Sequence, residues 1–318
     1  MIWKYEIENV GDIVLLFAIF IGAGIACQSA VNAKLRSYVL SPFTATMISF
    51  FVGAVALTVL TFTSGYLFWE EWGQLKGEPL WILTGGFLGV ISLTMNVVLF
   101  PKIGGIQTAV LSIFGQIFMG TLLDQFGWLH SQLQPLTVLK VLGLALVVVG
   151  VVLVTEVFVV KQGGESSNIG WKALGVFGGM AGATQAPVNG RLGVVLDSPL
   201  LSSQISFYVG MLTLLLVVLV TKSPVKTIKL AVNSGVRNYW IFMGGLLGAM
   251  YVYGAAMLAP IIGTGQLVVF ALFGQLVGSV VIDRFGLFGA MQKDITRGKI
   301  LGLVSMLAGV VVINFILL

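Results

Sequence analysis

Apolar runs long enough to cross a bilayer dominate this chain, broken at short intervals by charge, glycine and proline. A helix rises 1.5 Å per residue, so about 20 apolar residues span the hydrocarbon core. Ten runs meet that length, at approximately 13–33, 42–64, 80–100, 105–123 and 136–160, then 169–190, 199–221, 238–259, 264–282 and 298–318. The leading residues Met1 to Asp12 hold one basic residue, Lys4, against Glu6, Glu8 and Asp12, and no clear small-residue cleavage site follows the first run. That is not the pattern of a cleaved signal peptide, so the first helix is expected to be retained.

The polar positions inside the runs recur. Gly24 to Leu35 (GIACQSAVNAKL) and Ala181 to Leu192 (AGATQAPVNGRL) share Q-x-x-V-N-x-x-L: Gln28, Val31, Asn32 and Leu35 return as Gln185, Val188, Asn189 and Leu192, displaced by 157 positions. Ser41-Pro42, Ser49-Phe50 and Gly53 return at the same offset as Ser198-Pro199, Ser206-Phe207 and Gly210. Beyond the second run the offset becomes 159, matching Gly85-Gly86, Gly89, Pro101, Gly115-Gln116, Asp124 and Phe126-Gly127 with Gly244-Gly245, Gly248, Pro260, Gly274-Gln275, Asp283 and Phe285-Gly286. So many ordered matches indicate duplication. The repeats are placed at 1–162 and 163–318.

Five spans per repeat is an odd number, so fused copies that cross the membrane at every span must lie in opposite orientations. Charge provides a test, because Lys and Arg collect in cytoplasmic loops. Assigned to alternating sides, four of the 17 basic residues (Lys4, Lys76, Lys140 and Arg191) share the face of the N-terminus and the other thirteen take the opposite face. Both termini are therefore expected outside the cell membrane.

Composition agrees with burial in lipid: 58% of residues are hydrophobic and 9% charged, and glycine is 41 of 318, close to twice its usual share of about 7%. Small residues let transmembrane helices approach closely. The net charge of +5 sits in loops, where it reports topology and not nucleic-acid binding. The single cysteine, Cys27, excludes an intrachain disulfide. Metal-ligand spacing, a phosphate loop and a nucleophile with its base are all missing from the sequence, so neither an enzyme nor a cofactor is expected.

No Asp, Glu, Lys or Arg falls at the centre of a run, which leaves amides as the polar groups at depth. Gln28 and Asn32 lie four residues apart on one face, roughly 6 and 12 Å from the midplane, and inversion puts Gln185 and Asn189 at mirrored depths. Pro187 stands between the second pair, frees the carbonyl of Ala183 and makes the halves unequal. Gln116 and Gln275 fall within about one turn of the midplane, where inverted-repeat transporters bind their solutes. Asn96 and Tyr251 are further candidates, unmatched in the other repeat. Asp124 and Asp283 end equivalent helices, where a carboxylate opposes the macrodipole. They read as interfacial caps, or as gating or coupling groups at each mouth. Amides in membrane helices also serve as plain interhelical glue, each worth about 1 kcal/mol. His130 and Glu156 read as interfacial.

The G-x-x-x-Q-x-x-V-N-x-x-L helix, the Ser-Pro helix with Ser49, Phe50 and Gly53, and Gly115-Gln116 followed by Asp124, Phe126 and Gly127 resemble the YdcZ-like family of the drug/metabolite transporter (DMT) superfamily. The chain is similar to a fused two-unit version of its five-helix members. Ala181 departs from the motif glycine. The first helix also lacks the embedded glutamate with which the superfamily's small multidrug pumps couple to protons. The resemblance implies export of small solutes.

The fold expected is thus an all-α integral membrane protein of ten transmembrane helices in two inverted five-helix repeats. Its expected function is alternating-access export of a small neutral, zwitterionic or aromatic metabolite, with a passive channel or a non-transporting scaffold as the alternative. The expected partners are a small-molecule substrate and the lipid bilayer, not nucleic acid, and a homodimer is compatible with the pattern.

Overall fold

The computed structural model describes residues 2–65, 71–131, 133–155, 169–262 and 264–315. Among them, ten long helices carry the fold: α1 (Ile2–Val39), α2 (Pro42–Thr63), α3 (Gly85–Ile103), α4 (Gly105–Phe126), α5 (Val138–Thr155), α6 (Ile169–Val195), α7 (Pro199–Val220), α8 (Gly244–Ile262), α9 (Thr264–Phe285) and α10 (Arg297–Phe315). Among the described residues, eight stretches are by themselves long and apolar enough to cross a membrane, and α6 and α10 fall outside that set. Lys172 and Arg191 lie towards the ends of α6, with Thr184, Gln185 and Asn189 between them. The last residues of the tenth run, 316–318, lie outside the described residues, as do Glu156 and the repeat boundary at 162/163.

The repeated sequence signals set helix boundaries. Ser41 and Ser198 are N-caps, their hydroxyl oxygens accepting from the N–H groups of Thr44 (3.3 Å) and Leu201 (3.2 Å), and the following prolines sit where a helix needs no donor. Gly127 and Gly286 end α4 and α9 at φ +62°, the left-handed conformation that closes a helix at little cost only for glycine. Inside α3, Pro101 cannot donate to the carbonyl of Val97. Arg36 at the end of α1 supplies the missing donor, its Nη1 lying 3.0 Å from Val97 O and 3.2 Å from Val98 O.

Packing follows the duplication. α1 lies against α8 and α9 as α6 lies against α3 and α4, α2 and α7 pack together, and α5 packs along α10. Each contact maps onto another, or onto itself, when a helix is exchanged for its repeat equivalent. The equivalents run antiparallel. Phe50 fills the space over Gly210 while Phe207 fills that over Gly53, and the two rings meet at 5.1 Å. On α5 and α10, Gly143 faces Gly309 and Gly150 faces Gly302. Antiparallel equivalents make the repeats inverted. Lipid offers no hydrophobic drive for association, so glycine-to-backbone contacts and interhelical hydrogen bonds must supply the cohesion.

On one face, the end of α1 meets the turns Val236–Phe242 and Leu287–Gly289 and the short helix Ile228–Val232. This face is rich in Lys and Arg. On the opposite face the end of α6 meets Leu80–Leu83 and Trp128–His130, with the Trp81 and His130 rings stacked 5.8 Å apart.

Candidate functional site

The recurrent amide pairs dock across the two halves. Asn32 Oδ1 lies 2.1 Å from where a Cβ on Gly244 would stand, and Gln28 Nε2 lies 2.3 Å from the corresponding point on Gly248. Asn189 Oδ1 and Gln185 Nε2 occupy the same places over Gly85 (1.9 Å) and Gly89 (2.8 Å). Each Q-x-x-x-N face is thus a knob seated in the glycine notch of the other repeat, on α8 for the first motif and on α3 for the second. The glycines are required because any side chain would strike the amide. Asn32 Nδ2 donates to Ser49 Oγ at 3.2 Å. The Oδ1 atoms of Asn32 and Asn189 are buried without a conventional partner and face glycine Cα–H groups, a weak contact common between close helices. Ser206 Oγ, the equivalent of Ser49, is buried without a partner.

Beside the Gln28 turn of α1 lies a cavity of about 10 Å³ lined by Ala26, Ser29, Asn96, Phe100, Gly105, Thr108, Ala109, Gln275 and Ser279. Three of its helices, α1, α3 and α4, belong to the first repeat and one, α9, to the second. Gln275 and Asn96 are 5% and 6% exposed, and Asn96 Oδ1 has no hydrogen-bond partner. The volume suits about one water-sized group. The structure therefore brings Gln275 and Asn96 into one chamber. Gln116 is not in its lining; its Nε2 lies 3.4 Å from Ser112 Oγ on its own helix. Tyr251 packs elsewhere, with Ala18, Ile21, Leu258 and Leu267.

A charged clamp closes the chamber towards the basic face. Asp283, 1% exposed and one turn beyond Ser279, accepts from the N–H groups of Gly105 and Ile106, each at 2.9 Å. These are first-turn donors of α4, which have no partner within their own helix, and the positive end of the helix dipole favours a carboxylate there. Lys293 Nζ donates to Ile103 O at 2.7 Å, so the second repeat grips the α3–α4 turn of the first from both sides. Asp124 ends α4 half-buried near the opposite face, and Lys140 Nζ donates to Gln134 O (3.2 Å) and Oε1 (3.3 Å). Near the same face Arg191 pairs with Glu78 at 2.9 Å. α6 continues as one helix through Pro187. A polar ladder absent from the sequence-based candidates joins α2 to α7. In it Gln204, 2% exposed, accepts from Thr61 Oγ1 at 3.1 Å and donates to Tyr208 OH at 3.0 Å and Thr58 Oγ1 at 3.3 Å.

Ten long helices among the described residues, in two inverted halves with a small amide-bearing cavity where the halves meet, are the architecture of a membrane transporter. Its chain belongs to the family described as "Putative inner membrane exporter, YdcZ", of the DMT type, which matches residues 13–153 and again 170–312. It is accordingly a multi-pass inner-membrane protein whose partners are the lipid bilayer and small molecules. No curated protein matches the chain. A solved structure designated only "Crystal structure of protein" matches with a TM-score of 0.56 at 13% identity, over 93% of this chain and 95% of that one. At that identity the likeness concerns the fold alone.

Proposed function

We propose that the protein exports a small neutral, zwitterionic or aromatic metabolite by alternating access, the two five-helix repeats (1–162 and 163–318) rocking about the chamber. The observation that carries this reading is the chamber itself: a water-sized cavity with buried amides and hydroxyls in its lining, built from both repeats and clamped at the basic face. Gln275 and Asn96 contact the solute in the closed state, and Gln116 and Tyr251 meet it as the chamber widens. Opening one face lifts Gln28 and Asn32 out of the α8 notch; opening the other lifts Gln185 and Asn189 out of the α3 notch. Each amide pair then lines the vestibule it had closed, and Pro187, within the second pair, makes the two movements unequal.

An untargeted comparison of solutes released by cells with and without the protein supplies a substrate. Counterflow in proteoliposomes should then show saturable exchange of labelled for unlabelled solute. Gln275→Ala should lower it by about tenfold, the cost of one lost hydrogen bond to a polar solute, and Gln116→Ala by less. Linear, unsaturable flux would make the protein a channel, and wild-type exchange in both variants would remove the glutamines from the site. Both termini lie outside in this reading, so a reporter fused after Leu318 should be active only outside the cytoplasm; activity in the cytoplasm reverses the orientation.

A further inference from the structure

The chamber has a polar character that its residue names do not reveal. Ser29 Oγ donates to Ile25 O at 3.0 Å, Thr108 Oγ1 to Gly104 O at 2.7 Å and Ser279 Oγ to Gln275 O at 2.8 Å. A hydroxyl has one proton to give, so these three have spent theirs on helix carbonyls and turn only lone pairs to the cavity. Asn96, whose Oδ1 is buried without a partner, adds an amide with one acceptor and two donors. Gln275 can turn either end of its amide inward. Three oxygens that can only accept, and two amides that can turn to suit, line a space of about 10 Å³.

From this convergence we infer that the chamber is a subsite for a primary ammonium group, which makes the exported solute a small amine or amino-acid-like zwitterion; the inference rests on the chamber being the substrate site. A primary ammonium carries three donors and no lone pair, one donor for each of the three hydroxyl oxygens. A carboxylate would set its own lone pairs against those of the protein, and a hydroxyl has a proton for only one of them. The volume admits such a head group and not a whole solute, so the body extends where the repeats part. The Asp283 and Lys293 side chains flank the neighbouring Gly104 and balance each other there, leaving the ammonium to the neutral oxygens.

Inversion does not reproduce this subsite. At the repeat-equivalent positions Ser29, Asn96, Thr108 and Ser279 are replaced by Ala186, Ala255, Leu267 and Gly120, and only Gln275 keeps its type, as Gln116. The solute is therefore oriented, with its ammonium towards the chamber and its apolar end towards the mirrored position, where Ala186, Ala255, Leu267 and Gly120 stand in place of the polar residues.

The test is equilibrium stabilisation of the purified full-length protein, read as the rise in unfolding temperature with added salt. Methylammonium chloride should give a saturable rise. Tetramethylammonium chloride, with the same charge but no N–H, and sodium chloride should not. Ser279→Ala and Asn96→Leu should each weaken the methylammonium effect about tenfold, and Asn96→Asp, which adds a charge, should strengthen it even if Asn96→Leu does not fold. An equal effect from sodium would identify an inorganic cation site and overturn the inference. So would a rise shared by all three salts, or none from methylammonium. Binding is measured without transport: counterflow of a solute lacking an amine, with no methylammonium effect, defeats the subsite alone, whereas methylammonium binding without counterflow of any solute defeats the transporter reading.

Discussion

The two faces of this duplicated molecule are built from the same parts and closed differently. On the basic face Asp283 and Lys293 of the second repeat both reach into the first, holding the α3–α4 turn by two N–H groups and a carbonyl. On the other face the position equivalent to Lys293 is Gln134, and the ammonium of Lys140 bonds to that residue of its own repeat. The halves thus share a scaffold, and a lysine assists the clamp at the basic mouth where a glutamine stands at the other. Inverted repeats that remained equal would have equal affinity for both end states. Differential contacts are what bias such an equilibrium.

The largest expected effect tests the symmetric part. A Cβ on Gly86 would stand 2.0 Å from Ser206 O, and one on Gly245 would stand 2.2 Å from Ser49 O. The obstructing atoms are backbone and cannot turn aside, so the helices must separate. Gly86→Ala and Gly245→Ala should each cost about 1–3 kcal/mol and lower the unfolding temperature of the purified protein to a similar degree. A well-tolerated alanine at one position and not the other would show that the shared scaffold is itself unequal.

Much of that scaffold was legible in the sequence, because hydrocarbon thickness fixes run length and a fixed offset exposes duplication. Inversion followed from an odd span count and the loop charges, and α2 and α7 do run antiparallel through Phe50, Gly53, Phe207 and Gly210. The partners of the amides were not legible. Gln28 and Asn32 seat on Gly244 and Gly248, and nothing along the chain marks which helix of the other half presents the notch. Gln116 and Gln275 look equivalent in sequence, yet only Gln275 lines the chamber, where Asn96 and Ser279 surround it and Ala255 and Gly120 stand at the mirrored places. The absence of a repeat partner, which made Asn96 seem a lesser candidate, is what distinguishes the polar side. Gln204 escaped notice for a related reason: its counterpart is Met47, so neither periodicity nor repetition singled it out.

The smaller expected effect tests the clamp, and Cys27 provides an internal reporter. It is the only cysteine of the chain and packs, half-buried, beside Ala26, Ala30, Phe100 and Ile282, close to the chamber wall. Asp283→Asn retains the size of the side chain but removes its charge and leaves one oxygen to serve two N–H groups. Charge-assisted hydrogen bonds contribute about 1.5–3 kcal/mol, so weakening one should raise the open fraction of the basic face about tenfold. A membrane-permeant maleimide should then label Cys27 about tenfold faster than in the wild type. Asp124→Asn loosens the far face, from which Cys27 is shielded by the closed amide notch, and should leave the labelling rate near the wild-type value. Equal acceleration by both variants would mean that the two mouths open together, which removes the distinction between the faces and, with it, alternating access. No acceleration by Asp283→Asn would mean that glycine-notch packing alone holds the basic face shut, and that the carboxylate serves only as the cap of α4.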